Sequence, residues 1–183
     1  LPTDQPAVTS GPLGTGSLRI AAGTRVLSLA ANTINNAVQV NGSFEFGGTN
    51  NLTVNGFVNL GTGTRTITVT APQSTLTFNG IVSNGGLMKG GYGTLFLGNV
   101  NTFSGGVTLA GGTLVGQVPV QAGVSSATSG QSPFGSAAVT YIDGTLSMRA
   151  TYDVNFSNDI NVVGSSAVNL DVQSAVATNA VTI

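Results

Sequence analysis

The chain has 183 residues, of which only 6% are charged, and it carries a formal net charge of −1 with no histidine and no cysteine. Ordinary soluble domains carry roughly 25% charged residues. Because no basic field exists to hold a phosphate backbone, nucleic acid is excluded as a partner. Because imidazole and thiol groups are missing, histidine-based triads, cysteine nucleophiles and the usual zinc or haem ligation are excluded too. We therefore expect no metal and no cofactor.

Short segments in which apolar and polar residues alternate run along most of the chain. An alternation with period two is typical of half-buried β-strands, and no segment shows the 3.6-residue apolar period of a helix. Apolar runs of 18 or more residues, which a transmembrane helix needs, are also missing. The sequence therefore predicts an all-β protein. The alternating pairs, in chain order, are Leu18/Ile20, Leu27/Leu29, Val38/Val40, Phe44/Phe46, Leu52/Val54, Val58/Leu60, Ile67/Val69, Leu76/Phe78, Leu95/Leu97, Val107/Leu109, Val118/Val120, Val139/Tyr141, Leu146/Met148, Val154/Phe156, Ile160/Val162 and Leu170/Val172.

Asparagine and glycine separate many of these segments. The breaks include Asn41-Gly42, Asn55-Gly56, Asn79-Gly80 and Asn84-Gly85-Gly86. Both residue types tolerate a positive φ, so we expect tight corners with left-handed backbone at these positions.

An internal repeat indicates what kind of all-β fold this is. Residues 14–24 match residues 135–145 at an offset of 121, and residues 36–42 match residues 158–164 at an offset of 122. The sequence thus divides into an entry segment (1–13), one full unit (14–134) and the start of a second unit (135–183). Half a unit fits a solenoid better than a closed barrel or sandwich, because each solenoid turn contacts only its neighbours.

A parallel β-helix also accounts for the low charge. Its outward positions form rows of like residues about 4.8 Å apart, where identical charges repel while Thr, Ser and Asn hydrogen-bond. With roughly 20 residues per turn we expect about eight or nine turns and a rod of about 40 Å.

Residues 85–114 resemble the autotransporter-associated β-strand repeat, also called the passenger-associated transport repeat. The pattern departs from the family at Gly98-Asn99-Val100-Asn101, where the usual Ser-Gly-x-Asn is shifted, and at Val107, where Thr is common. The residues that carry the resemblance, which we call the repeat signature, are Lys89, Gly91, Gly93, Thr94, Leu95, Leu97, Asn101, Phe103, Gly105, Gly106, Gly112, Thr113 and Leu114.

The resemblance covers about residues 11–164 and implies a right-handed parallel β-helix. In that family such repeats form the passenger stalks of large secreted or surface-attached bacterial proteins. It therefore implies an extracellular or cell-surface location and a structural role in secretion and folding. It implies no enzymatic activity.

An alternate-residue threonine row, Thr62 to Thr70, is a candidate binding face. A flat Thr array can match the spacing of ice, but that function requires Thr pairs on many successive turns. The expected role is an ordinary outward strand face.

Lys89 is the only lysine and lies in an apolar stretch. We expect it to cap stacked carbonyls or to cover a turn with its aliphatic stem. An isopeptide crosslink to an asparagine is the alternative, which usually needs a nearby catalytic carboxylate.

The few acidic residues offer only weak sites. Asp153, Asp159 and Asp171 could form a calcium site, but their spacing fits no known calcium loop, so we expect solvated turns. Polysaccharide-active β-helices need converging carboxylates or clustered cations, and neither is visible. Asn51-Leu52-Thr53 and Asn155-Phe156-Ser157 are formal glycosylation sequons.

Two non-enzymatic functions remain. The first is a stalk or scaffold segment that contacts neighbouring repeats of the same protein. The second is a subunit that polymerises end to end into a surface fibre or makes a weak glycan or host-surface contact, because uncapped solenoid ends are open sheet edges. Ice binding and polysaccharide activity are remote alternatives.

Overall fold

The structure is a computed structural model that describes residues 13–119, 132–150, 154–164, 169–174 and 181–182. These residues form strands and turns, with no helix among them. In chain order the strands are β1 (Leu18–Ile20), β2 (Arg25–Ser28), β3 (Asn32–Ile34), β4 (Val38–Val40), β5 (Phe44–Gly48), β6 (Leu52–Val54), β7 (Val58–Asn59), β8 (Thr64–Val69), β9 (Thr75–Phe78), β10 (Val82–Ser83), β11 (Gly86–Gly90), β12 (Thr94–Leu97), β13 (Val107–Val118), β14 (Val139–Ala150), β15 (Val154–Asn155), β16 (Ile160–Val162), β17 (Asn169–Ser174) and β18 (Val181–Thr182).

All strand pairs among the described residues are parallel, and most of these strands belong to three ladders. Ladder A contains β1, β4, β7 and β10. Ladder B runs through β2, β5, β8 and β11 to the first halves of β13 and β14 and then to β16. Ladder C runs through β3, β6, β9 and β12 to the second halves of β13 and β14 and then to β17. The prediction of an all-β parallel solenoid is confirmed, while its right-handedness stays a prediction.

The solenoid makes about six turns, so the expected eight or nine turns were too many. Residues that pair on adjacent turns are one turn apart along the chain. Some turns do take 20 residues, since Val38 pairs with Val58. Others are longer, because Val58 pairs with Val82 and Val107 pairs with Val139. Because these turns take more residues, the chain makes fewer of them, and the described stack is roughly 30 Å at ~4.8 Å per strand.

The inward side chains of the three ladders form one apolar column. In ladder C the column is a stack of leucines, Leu76, Leu95, Leu114 and Leu146, each no more than 2% exposed. Full burial of one such side chain contributes about 1.5–3 kcal/mol. The column therefore stabilises each turn through its contact with the next.

One predicted strand has the wrong register. The pair Leu27/Leu29 was expected to face inward, but Leu27 is 51% and Leu29 is 82% exposed. Val26 pairs with the buried Phe46, and Ser28 is buried and donates to the carbonyls of Ala30 and Asn51. Because side chains alternate with period two, a shift of one residue exchanges the inward and outward sets.

The asparagine–glycine corners are only partly left-handed. Asn84 (φ 60°) and Gly85 (φ 55°) have positive φ as expected, whereas Gly42, Gly56 and Gly80 do not. Those three positions require glycine because of close stacking. A Cβ at Gly80, for example, would lie 2.1 Å from the carbonyl oxygen of Gly56 on the preceding turn.

Candidate functional site

Lys89 lies inside the core, in the inward column of ladder B. It pairs with Ile67 on one side and Leu109 on the other, and its side chain is fully buried. Its Nζ donates to the carbonyl oxygens of Gly90 (2.7 Å), Gly91 (3.2 Å) and Gly111 (3.0 Å). Of the roles expected for this lysine, the contacts show carbonyl capping, and the bond to Gly111 joins two successive turns.

The corner around the ammonium group is built from glycines. Gly91 and Gly112 have φ of 77° and 68°, and a Cβ at Gly112 would lie 2.8 Å from the Lys89 Nζ. A Cβ at Gly93 would meet backbone and side-chain atoms of the preceding turn at 2.4–2.7 Å. These glycines let the backbone carbonyls approach the ammonium group closely.

Burial lowers the pKa of Lys89 to about 8. Taking an ammonium group out of water disfavours its charged form, and the three carbonyls replace part of the lost hydration.

The rest of the repeat signature lies on β12, β13 and the connection between them. Leu95, Leu97, Phe103 and Leu114 point inward and are fully buried. Thr94 and Thr113 pair with each other on the outer side of ladder C. Gly105 and Gly106 precede β13, and the Gly105 amide donates to the Gly85 carbonyl. The signature residues thus shape the core and corners of two adjacent turns.

Asn101, also a signature residue, is buried and bridges two neighbouring turns. Its Oδ1 accepts from the Val82 amide at 2.7 Å, and its Nδ2 donates to the Pro133 carbonyl at 2.6 Å. It satisfies backbone groups that would otherwise be buried without a partner.

Two further buried asparagines have equivalent contacts in the two repeat units. Asn36 Nδ2 donates to the carbonyls of Gly14 and Gly16, and Asn158 Nδ2 donates to those of Gly135 and Ala137. These acceptors correspond at the same offset of 121 residues that the sequence shows. In the sequence, the match of Asn36 with Asn158 in the internal repeat was the feature from which this shared role could have been predicted. The unit boundaries themselves stay a prediction.

Asparagines also stack along one outer corner of the solenoid. Asn55 Nδ2 donates to Asn35 Oδ1 (2.9 Å), and Asn79 Nδ2 donates to Asn55 Oδ1 (3.1 Å). Asn99 Nδ2 then donates to the Asn79 carbonyl (3.0 Å). We call these four residues the amide ladder. The Asn-Gly breaks indicated this corner in the sequence. Only the register of the strands shows that the side-chain amides of successive turns are in contact.

The threonine row from Thr62 to Thr70 faces outward, on and around β8. Its neighbours on adjacent turns are mostly not threonines, because Thr66 pairs with Met88 and Thr68 pairs with Glu45 and Gly90. The row therefore does not supply the repeated Thr pairs that an ice-binding face needs.

A threonine column that the sequence reasoning missed crosses the turns of ladder C. Thr75, Thr94, Thr113 and Thr145 pair in succession. The signal was the repeated Thr-Leu dipeptide, in which each of these threonines precedes a leucine of the inward stack.

The outer face of ladder B carries an open groove of about 300 Å³. The groove is lined by Gly23, Ser43, Phe44, Glu45, Thr66 and Thr68. Glu45 lies 3.9 Å from Arg25, and both side chains are more than half exposed, so this ion pair contributes little.

The acidic residues considered as calcium ligands, for which solvated turns were expected, do not form a described site. Asp153 lies outside the described residues, and the described part of the chain brings no three acidic side chains together. Asp171 accepts from Ser147 and Gln173, and these hydrogen bonds lower its pKa, with Arg149 adding to the effect. No helix long and apolar enough to cross a membrane occurs among the described residues.

Comparison with known proteins shows a similarity over part of the chain. No family model matches the chain, and no solved structure matches it. The chain is similar to the Adhesin BmaC autotransporter of Brucella suis biovar 1 (strain 1330), with 36% identity over 107 residues. This stretch is 58% of the chain but only 3% of that protein's length. The β-solenoid fold and this similarity together fit a β-helical autotransporter passenger.

Proposed function

We propose that this chain is a non-catalytic stalk or scaffold segment of a bacterial cell-surface or secreted protein. The observation that carries the proposal is the stack of parallel turns that the described residues form around one apolar column. In such a stack each turn contacts the next, so the turns together form a rod that can carry force and hold other parts of a protein at a fixed distance. The similarity to an autotransporter adhesin supports the surface location.

The use of the buried polar groups supports a structural role. Among the described residues, Asn36, Lys89, Asn101 and Asn158 are buried, and each donates to backbone carbonyls. A catalytic group must instead reach a substrate. These side chains hold adjacent turns together.

The proposed role includes help with secretion. Solenoid turns add one after another, so a chain that emerges from a membrane pore can fold turn by turn outside the cell. Neighbouring repeats of the same parent protein are the proposed partners, and a weak glycan or host-surface contact on the outer faces is the further proposal.

Surface display tests this function directly. The full chain would be placed between a secretion signal and a membrane-anchored translocator, and its exposure on intact cells measured with added protease. We expect display of the wild type and of the control Gly90→Ala, and reduced display of Gly80→Ala. A Cβ meets ordinary contacts at Gly90, but at Gly80 it would lie 2.1 Å from a backbone oxygen. Equal display of an unfolded Gly80→Ala would contradict a role for turn-by-turn folding.

A self-associating fibre subunit is the second candidate. Val162, Val163, Leu170 and Val172 are 43–63% exposed in the last described turns, which is unusual for so many large apolar side chains. Sedimentation and electron microscopy over a concentration series separate the two functions. Long uniform fibres would support the fibre subunit, and a monomer at every concentration would contradict it.

A further inference from the structure

The chain contains four Asn-Gly sequences, at Asn41, Asn55, Asn79 and Asn84. In such a sequence the glycine amide nitrogen can attack the asparagine side-chain carbonyl, because glycine has no side chain to shield its own nitrogen. The carboxamide must rotate onto the backbone for this attack. Hydrogen bonds that hold the carboxamide therefore slow the reaction.

Hydrogen bonds to neighbouring asparagines hold three of the four carboxamides in place. Asn55 both donates and accepts within the amide ladder. Asn79 donates to Asn55, and the nitrogen that would attack, the Gly80 amide, donates to the Val54 carbonyl at 3.4 Å. Asn84 donates to Asn59 Oδ1 at 3.0 Å.

The carboxamide of Asn41 is free within the described part of the chain. Asn41 is exposed, and its only described hydrogen bond is from its backbone amide to the Ile20 carbonyl. Extending the pairing of β4 with β1 and β7 to residue 41 places Ala21 and Gly61 next to it on the adjacent turns. Neither residue has a polar side chain, so no amide ladder can form at this corner.

We propose that Asn41 is a site of spontaneous deamidation to aspartate and isoaspartate. The Gly42 nitrogen forms a bond to Asn41 Cγ, the Cγ–Nδ2 bond breaks, and the departing nitrogen takes the amide proton and leaves as ammonia. Water then opens the cyclic imide. Cleavage of the bond between the Gly42 nitrogen and Cγ gives aspartate. Cleavage of the bond between that nitrogen and the main-chain carbonyl carbon gives isoaspartate.

The product changes the first turns of the solenoid. It adds a carboxylate to a chain whose net charge is −1. Isoaspartate also inserts a methylene into the backbone directly before Gly42, where even a Cβ would lie only 2.4 Å from the Ala22 Cβ. We expect the modified corner to exchange amide hydrogens faster than the unmodified one.

Peptide mapping by mass spectrometry tests the proposal. The folded full chain is incubated at mildly alkaline pH, and deamidation at all four sites is followed over time. We expect Asn41 to react at least about tenfold faster than Asn55 or Asn79, since each held carboxamide must first break a hydrogen bond. Asn84 donates one side-chain bond, but no described bond holds the Gly85 amide that would attack it, so its rate should fall between them.

Two comparisons show whether the fold causes the difference. In concentrated guanidinium the four sites should react at similar rates, because all four share the Asn-Gly dipeptide and none is then held by the fold. In the folded Asn35→Ala variant, Asn55 loses the acceptor of its Nδ2 and should react faster, while Asn41 stays unchanged. Equal rates at Asn41 and Asn55 in the folded wild type, or no reaction at Asn41, would overturn the proposal.

Discussion

At the scale of single residues, Lys89 is the most unusual feature of the molecule. A lysine in an apolar column has a desolvation cost, and here three glycine carbonyls at 2.7–3.2 Å offset part of it. Its position in the sequence marked it as exceptional. The identity of its acceptors could not be predicted, because Gly111 reaches it only through the pairing of β11 with β13.

We expect the lowered pKa of Lys89 to make stability depend on pH. In the unfolded chain the lysine has its ordinary pKa of 10.5, and in the folded chain its pKa is about 8. Between these values the unfolded state binds more protons, so the free energy of unfolding rises with pH from about 8 to 10.5, by about 3 kcal/mol in total. Urea unfolding over this range measures the rise.

Lys89→Met is the control for this dependence. The variant lacks the titrating group, so its free energy of unfolding should not show this rise between about pH 8 and 10.5. A wild type whose stability changes with pH no more than that of Lys89→Met would contradict a buried, titrating lysine.

Removal of a buried asparagine should lower the free energy of unfolding more than removal of an exposed one. Asn101→Ala leaves the Val82 amide and the Pro133 carbonyl without their partner, and each unsatisfied buried group costs about 1–3 kcal/mol. Asn99→Ala removes an exposed contact to the Asn79 carbonyl and should cost under about 1 kcal/mol. Chemical denaturation compares the two, and equal losses would contradict the bridging role of Asn101.

At the scale of strands and corners, close stacking explains why the corners contain glycine. The Gly56 and Gly80 corners lie directly over one another, with no room for a Cβ between them. Sequence reasoning identified the corners but expected left-handed backbone at each. Only the contact between turns distinguishes a glycine needed for φ from one needed for space.

A matched pair of alanine substitutions tests the stacking. We expect Gly80→Ala to destabilise the protein by roughly 3 kcal/mol or more, since overpacking against fixed backbone shifts the turn. Gly90→Ala, where a Cβ has its nearest atom at 3.5 Å, should be within about 1 kcal/mol of the wild type. Thermal unfolding followed by circular dichroism measures both, and a Gly80→Ala as stable as Gly90→Ala would contradict the described approach of the turns.

The strands themselves were largely predictable. Alternation located most inward positions, such as Leu76, Leu95 and Leu146, because a buried column needs apolar side chains at every second residue. It failed at β2, where Ser28 takes an inward position and Leu27 an outward one. Two leucines with period two fit either face, and only pairing with β5 decides between them.

At the scale of the whole molecule, parallel stacking determines both the shape and the proposed function. The repeat and the low charge predicted a solenoid, and the ladders confirm it. The number of turns was overestimated, because local sequence does not show how much chain each corner connection takes up. A step such as Val107 to Val139 becomes visible only in the pairing of β13 with β14.

Cysteine crosslinking tests the parallel register most directly, because the chain has no cysteine of its own. Thr75 and Thr94 are direct partners on adjacent turns, at a strand spacing within disulfide reach. Thr75 and Thr113 are two turns apart, at about twice that spacing and out of reach. Under mild oxidation, Thr75→Cys/Thr94→Cys should form an intramolecular disulfide and Thr75→Cys/Thr113→Cys should not. A disulfide in the second pair without one in the first would contradict the stacked solenoid.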